Sequence, residues 1–511
     1  MGSSETRMTN IVLVEPTNAD EMNPSLQLRG NTLEPYAIES IASYLEHAGF
    51  NNVHVLQQYL LSDDDLLRQI AEIHPGVVGF SVLSRDYQRA LKLARELKQQ
   101  SPAVFIVFGG YHPTLNIHDT LSNDCVDFVV VGEGEITFRD LCLSLIKHDG
   151  GLENIPGIAY KKNADITINP PRKRFADLDS LPLAKRNTEL LQRSRNWNLA
   201  YPAPLNQRAV AQIGFSRGCP FQCSFCVSPL LWCKGTDPAG VGAVTYRSAR
   251  QVVEEIKMLK EQYGVNFIYF NDLTINASEE RLRELCRTMI EHGLHDSKHD
   301  TSGPDDIQKN IHWFCLAKIG MSAELASLMA QAGCSKIGFG IESFYKQGQR
   351  EMRKPYKGYE EIKETLENTD AAGIINRGYI ILGWPHETEE SITATIDGLL
   401  STKVDQIRVA YFTPFPGTDL YAEYKKNYLL MEENYSKFDG DTPVVKCEQL
   451  TKNDLIAARK RIITSFYNSP LYHQRCRDKI RRFPRLRESY RSFAEELFDL
   501  SKGTINLKGV L

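Results

Sequence analysis

Short apolar runs alternate with amphipathic stretches through the first 150 residues, the rhythm of βαβ units around a parallel sheet. IVLVEP at 11–16 reads as a buried strand. Ala37, Ile38, Ile41, Leu45 and Ala48 recur at helical spacing, with Gly49 placed as a C-cap. VVGFSV at 77–82 is a second strand. Ala90, Leu91, Ala94 and Leu97 predict a helix that leads into AVFIVFGGYH, a strand ending in two glycines, and DFVVVGEGE follows in the same style. The pattern predicts a doubly wound α/β sheet over residues 1–175. Ligands of such sheets sit beyond the carboxyl ends of the strands, where glycines admit close backbone approach.

The rhythm is lost after residue 156. PGIAYKKNADITINPPRKR reads as a hairpin followed by a proline-rich, charged stretch, and residues 176–205 are expected to be a linker. Alternation resumes with AVAQIGF, NFIYFND, HWFCLA, KIGFGIES, GYIILGW and QIRVAYFTPFPGT, each separated by an amphipathic helix. Six such units over residues 206–420 predict a partial (β/α)6 TIM-like barrel with its site at the carboxyl ends of the strands. The insertion HDSKHDTSGPDDIQKN at 295–310 precedes a strand, so it reads as solvated surface on the opposite face. Residues 421–511 read as a C-terminal helical domain.

Composition narrows the partners. Lys plus Arg is 60 and Asp plus Glu is 64, a net charge of −4, so no global field points to nucleic acid or an anionic membrane. No window approaches the ~18 consecutive apolar residues of a membrane span, and a cytoplasmic protein is expected. From Leu471 to Leu511 there are ten Lys or Arg against five Asp or Glu. A basic helical surface explains that tail; an anionic substrate or partner is the sharper alternative.

Eleven cysteines are present, and Cys125, Cys142, Cys286, Cys315 and Cys334 lie singly in apolar patterns as small core residues. Cys219, Cys223 and Cys226 instead form a C-x3-C-x2-C run in GCPFQCSFC, directly after the first barrel strand. A structural zinc site needs four protein ligands, and Cys233 stands near enough in sequence to be the fourth. An iron-sulfur cube held by three thiolates leaves one iron open for a further ligand.

This run, with Phe225 before its last cysteine, resembles the defining motif of the radical S-adenosylmethionine (SAM) superfamily. TYRS at 245–248, FND at 270–272, GFGIES at 338–343, LGWPHET at 382–388 and FTPFPGT at 412–418 are similar to what that superfamily carries at later strand ends. The resemblance implies a 4Fe-4S cluster on Cys219, Cys223 and Cys226, whose open iron chelates SAM and cleaves it to a 5'-deoxyadenosyl radical. It makes Phe225 and Glu342 candidate SAM contacts and places Gly383 and Trp384 beside the adenosine. An ion pair closing the barrel is the alternative for Glu342. Asp272 is a further candidate that reads equally well as a helix N-cap.

A doubly wound domain ahead of such a barrel resembles the Rossmann-like cobalamin-binding domain of one radical SAM subgroup. The motifs are FSVLS at 80–84, GGYHPT at 109–114 and GEGE at 132–135. They make Asn18, Ser81, Leu83, Gly109, Gly110, His112, Gly132, Glu133 and Gly134 candidate corrin contacts, with a structural role as the alternative for His112. No D-x-H-x-x-G loop is present, so the resemblance implies cobalamin without histidine on its lower face; a degenerate, empty domain is the alternative.

The expected activity is that of a cobalamin-dependent radical SAM C-methyltransferase. It would move a methyl group from methylcobalamin to an unactivated carbon of a small-molecule or peptide substrate, after hydrogen abstraction by the 5'-deoxyadenosyl radical. Flavodoxin or ferredoxin would be the reducing partner. The alternatives are a rearrangement or cyclisation without methyl transfer, and a non-catalytic cobalamin- or zinc-binding interaction module. A methylthio- or RNA-modifying enzyme would be expected to carry more cysteines in its N-terminal domain than Cys125 and Cys142. No RNA-binding motif is apparent.

Overall fold

The computed structural model describes residues 10–16, 34–57, 61–147, 151–163, 165–187, 191, 209–234, 244–295, 310–355, 358–505 and 507. Asn18, most of the expected 176–205 linker, nearly all of the 295–310 insertion and the Cys233 side chain lie outside the described residues.

The N-terminal sheet is built from β1 (Ile11–Glu15), β2 (Val53–Gln57), β3 (Val77–Ser81), β4 (Phe105–Gly109), β5 (Phe128–Val130), β6 (Ile158–Lys162) and β7 (Asp165–Ile168), in the order β2-β1-β3-β4-β5-β6-β7. The first five are parallel, and β6 and β7 add antiparallel at the edge. Val12 and Val14 enter one core and Ile11 and Leu13 the other. Burial on both faces is why β1 reads as an unbroken apolar run. β2 escapes the sequence reading because VHVLQ is a half-buried edge strand. The predicted hairpin is β6 and β7, which join the sheet because Ile158, Ala159 and Tyr160 are buried against it.

Six parallel strands follow: β8 (Ala209–Ile213), β11 (Val265–Phe270), β12 (His312–Ala317), β13 (Cys334–Glu342), β14 (Ile375–Leu382) and β15 (Gln406–Tyr411), joined in the order β15-β14-β13-β12-β11-β8. They form the predicted half-barrel. A small ribbon of β9 (Ser216–Arg217) and β10 (Thr245–Tyr246) sits between β8 and β11 in the chain. Helices over Ala249–Tyr263, Glu279–Glu291, Ala323–Gln331 and Glu389–Ser401 start at Ser248, Ser278, Ser322 and Thr388. Each of those side chains accepts a first-turn amide, a cap worth ~1 kcal/mol. Inside the half-barrel Lys336 is fully buried, bonded to Gln406 Oε1 at 2.5 Å with its ammonium over the Phe314 ring.

The expected C-terminal helices are present, preceded by a strap. Residues 427–451 form an irregular strap with one bridge, Leu430 to Val445. Helices over Lys452–Tyr467, Pro470–Arg482 and Arg487–Leu500 follow. Their Leu455, Ile462, Phe466 and Tyr472 share one continuous core with the barrel strands, so they extend the barrel and have no core of their own. Part of the basic tail is engaged by the fold, while Arg477, Arg481, Arg482, Arg487, Arg491 and Lys502 stay exposed. Lys479 is buried between Asp370 and Asp405 at 3.1 and 2.6 Å, Arg482 pairs with Asp370, and Arg475 donates to the carbonyls of Leu400, Thr402 and Val404. These three bases lock helices to loops, and the exposed ones form the expected basic helical surface. No helix among the described residues is long and apolar enough to cross a membrane.

Candidate functional site

A cavity of about 430 Å³ opens where the strand ends of the N-terminal sheet meet the half-barrel. Ser81, Leu83, Gly109, Gly110, Gly132, Glu133 and Gly134 line one side, and Ser216, Arg217, Gly218 and Trp232 the other. It lies at the point where strand order reverses between β1 and β3, the usual ligand crevice of such sheets. Gly110 has φ +93° and ψ −167°, and a Cβ there would sit 3.0 Å from both the amide nitrogen and the carbonyl oxygen of Val82. Only glycine fits, and the bare backbone forms part of a wall suited to the flat edge of a large ring.

Not every expected corrin contact faces this cavity. His112 does not line it. The ring is buried, with Nδ1 3.1 Å from Ser84 Oγ, and its centre 4.0 Å from the Tyr87 ring and 5.1 Å from the Tyr435 ring. Burial pushes its pKa down, partly offset by Asp119. It is a packed structural histidine. Glu133 does line the cavity, but its carboxylate is engaged by the Arg217 guanidinium at 3.0 Å and the Phe175 amide at 2.9 Å.

The cysteine loop leaves β9 through Gly218, whose φ is +106°. Cys219, Cys223 and Cys226 are reduced and partly exposed. The Cys226 amide donates to Cys223 O at 3.2 Å, closing the turn. Ser224 donates through its amide and hydroxyl to the carbonyls of Met352 and Glu351. Burial pushes the Cys223 thiol up to about 11 against the pull of the Lys354 ammonium, and a coordinating metal deprotonates such a thiol outright. Among the described residues no three such side chains gather around a single ion.

Asp272 turns out to set this loop, and its helix-cap reading is corrected. It is 1% exposed and accepts from Phe215 N at 3.1 Å, from Ser216 N at 2.6 Å and from the Ser216 hydroxyl. Burial raises its carboxyl to about 6. The end of β11 thereby holds the turn that delivers the cysteines.

Glu342 ends β13 at φ +63° beside a register shift in its pairing with β14, an unfavourable backbone for a non-glycine residue of the kind that gathers at functional sites. Its Oε1 lies 3.0 Å from Lys354 Nζ. The ion pair ties β13 to the chain just beyond it and does not span the barrel mouth. A Cβ at Gly340 would fall 2.6 Å from Glu342 Oε1, so that glycine makes room for the pair. Glu342 and Lys354 both act electrostatically on Cys223, which places them at the cluster loop.

Gly383 and Trp384 lie away from the cavity. Trp384 is 1% exposed in an apolar cluster with Met352, Phe412 and Phe438, against which Phe225 also packs. Glu387 fixes this turn by accepting from Gly383 N at 3.0 Å and from the Ser391 hydroxyl, and burial raises its carboxyl to about 7.

Sequence reasoning missed Tyr111, Arg186 and Arg217. Tyr111 follows the double glycine, lines the cavity, and has its phenol raised to about 12 by burial and the nearby Cys226. Arg186, within the expected linker, is fully buried: 2.7 Å from Glu34, 3.6 Å from Glu39 and 2.7 Å from Glu255. It bolts the two domains together.

Comparison with known proteins agrees with this geometry. Residues 26–142 match the B12 binding domain family, and residues 213–399 match the Radical SAM superfamily. The chain is a cobalamin-binding radical SAM enzyme, and its cofactors are a 4Fe-4S cluster, SAM and cobalamin. It is 26% identical over 468 residues to an uncharacterized methyltransferase of Pyrococcus horikoshii, covering 91% of this chain and 94% of that protein. It is 24% identical to the anaerobic magnesium-protoporphyrin IX monomethyl ester cyclase of Cereibacter sphaeroides over 86% of this chain and 68% of the cyclase. The fold is similar to that of the radical SAM methyltransferase TsrM from Kitasatospora setae solved with cobalamin and a 4Fe-4S cluster, with a TM-score of 0.68, 17% identity, and coverage of 92% of this chain and 90% of that one.

Proposed function

We propose that the protein is a C-methyltransferase that adds a methyl group to an unactivated carbon of a small organic substrate. The observation carrying this reading is the cavity itself, bounded by the glycine-rich strand ends of one domain and by the residues leading into the three-cysteine loop of the other. The bound cofactors supply a carbon-centred radical and a transferable methyl group. The chain's own residues bring the two into one enclosed space. Gly109, Gly110 and Gly132 leave room for a flat ring at the sheet's edge, Cys219, Cys223 and Cys226 hold the cluster, and Asp272 and Ser224 fix the loop that carries it. Phe225 and Trp384 pack an apolar shell behind the loop, excluding the water that would quench a radical. The Pyrococcus horikoshii relative, named a methyltransferase, spans nearly the whole chain, which supports methyl transfer.

An electron must reach the cluster, so a flavodoxin- or ferredoxin-type donor belongs to the proposal. A cyclisation without methyl transfer is the second reading, favoured by the cyclase relative. Turnover with methyl-labelled SAM separates the two. Label in the product supports methyl transfer, and an unlabelled product beside 5'-deoxyadenosine supports cyclisation. Replacing Cys219, Cys223 or Cys226 by Ala is expected to abolish 5'-deoxyadenosine formation; undiminished turnover would refute the site.

A further inference from the structure

The sequence Gly132-Glu133-Gly134-Glu135 alternates two residue types, and all four residues line the cavity. Gly132 takes φ +81°, and a Cβ on Gly134 would fall 2.8 Å from Ile41 Cδ1, so close packing holds the loop at the cavity wall. The two carboxylates are spent on one arginine: Glu133 Oε1 lies 3.0 Å from Arg217 Nη1, and Glu135 Oε1 lies 2.6 Å from Arg217 Nη2. Both glutamate side chains are nearly buried, at 7% and 5% exposure, and Arg217 is 23% exposed. Glu135 is further fixed by the Ser40 hydroxyl at 3.1 Å and Glu133 by the Phe175 amide at 2.9 Å. A guanidinium presents its donors in a rigid fork, so two carboxylates on its two terminal nitrogens fix both its distance and its orientation.

Arg217 stands two residues before Cys219. Its backbone pairs with Thr245 in the β9–β10 ribbon, and its carbonyl accepts from Arg174 at 3.0 Å. Side chain and main chain are therefore both anchored, and Gly218 alone separates this anchor from the first cluster ligand. We infer that Arg217 is a positioning residue through which the glycine-rich loop of the cobalamin-binding domain sets the cluster loop, so that corrin binding and cluster binding are coupled. The inference rests on the corrin site proposed above and goes beyond it: each cofactor should be held more tightly when the other is present. Such coupling is reciprocal, and factors of ~5–150 are typical between linked sites.

The test is a thermodynamic cycle on the full-length protein. Cobalamin affinity is measured by absorbance titration with the cluster reconstituted and with the iron removed. Wild type is expected to bind at least ~10-fold more tightly in the clustered form. In Arg217→Lys, which keeps the charge and loses the fork, and in Glu133→Gln/Glu135→Gln, which acts from the other domain, the factor is expected to fall below ~2 while the iron and sulfide content stays at the wild-type level. A wild-type factor near one, or a wild-type factor retained in both variants, overturns the inference. Should Arg217→Lys lose its cluster outright, the double glutamine variant, whose substitutions lie far from the thiols in sequence, decides the matter. Wild type that takes up no cobalamin at all would instead defeat the corrin site on which the inference stands.

Discussion

Replacing Gly110 by Ala tests whether the glycine wall is built for a ligand. Two costs add at this position. Its backbone, φ +93° and ψ −167°, lies in a region essentially closed to other residues, at ~1–3 kcal/mol. The new Cβ would stand 3.0 Å from two main-chain atoms of Val82, which cannot swing aside like a side-chain end, and overpacking of that kind costs ~1–3 kcal/mol. Together they predict a loss of ~2–6 kcal/mol, concentrated where β3 and β4 end beside the cavity. Gly49→Ala is the matched control. Gly49 has φ +89°, and a methyl group added there would meet nothing within 4 Å, so only the backbone cost of ~1–2 kcal/mol applies. Urea unfolding followed by circular dichroism measures both, and absorbance titration gives cobalamin affinity. Gly110→Ala should be the less stable of the two and should weaken cobalamin binding by ~10-fold or more, about 1.4 kcal/mol. Gly49→Ala should leave binding unchanged. Equal stabilities together with unchanged cobalamin affinity in both variants would refute the reasoning.

Further outcomes follow from single side chains. Asp272 has a folded-state carboxyl raised to about 6 from 3.8. Its protonated form therefore favours the fold, adding up to ~3 kcal/mol below pH 4 that is lost as pH rises through 6. Asp272→Asn should flatten the change in melting temperature across that window, and an unaltered pH profile would count against the assignment. Arg186→Met strands the buried Glu34 and Glu39, while Glu255 keeps Arg247, and should cost ~3–5 kcal/mol, read as a lowered melting temperature; Glu39, already raised to about 8 by burial and by Glu34, would be pushed further toward its neutral form. Cys315→Ala, a fully buried thiol in the barrel core, should keep full iron and sulfide content, whereas Cys226→Ala should lose it. Iron analysis of the two purified proteins distinguishes a dedicated ligand set from a general thiol requirement.

The features legible in the sequence are local ones. IVLVE shows its two buried faces as an uninterrupted apolar run, GCPFQCSFC carries its ligands within eight residues, and Gly109 and Gly110 mark a strand end. What escaped depends on residues far apart in the chain. Arg217 meets Glu133 and Glu135 across 84 and 82 positions, and Asp272 meets Ser216 across 56. No periodicity encodes such pairs. His112 and Trp384 illustrate the reverse. Each sits in a motif beside a strand end, yet packing turned both into the interior, His112 against Tyr87 and Tyr435, and Trp384 among Met352, Phe412 and Phe438. In the basic tail, composition marks the exposed Arg477, Arg481 and Arg491 correctly but gives no sign that Lys479 is buried between Asp370 and Asp405.

The contact between the two cofactor sites is the claim on which the chemistry stands, and electron paramagnetic resonance of the doubly loaded protein tests it most directly. With paramagnetic cob(II)alamin and the reduced cluster on one chain, each signal should be broadened and relax faster than in protein carrying that centre alone. A spectrum equal to the plain sum of the two singly loaded samples would contradict the arrangement.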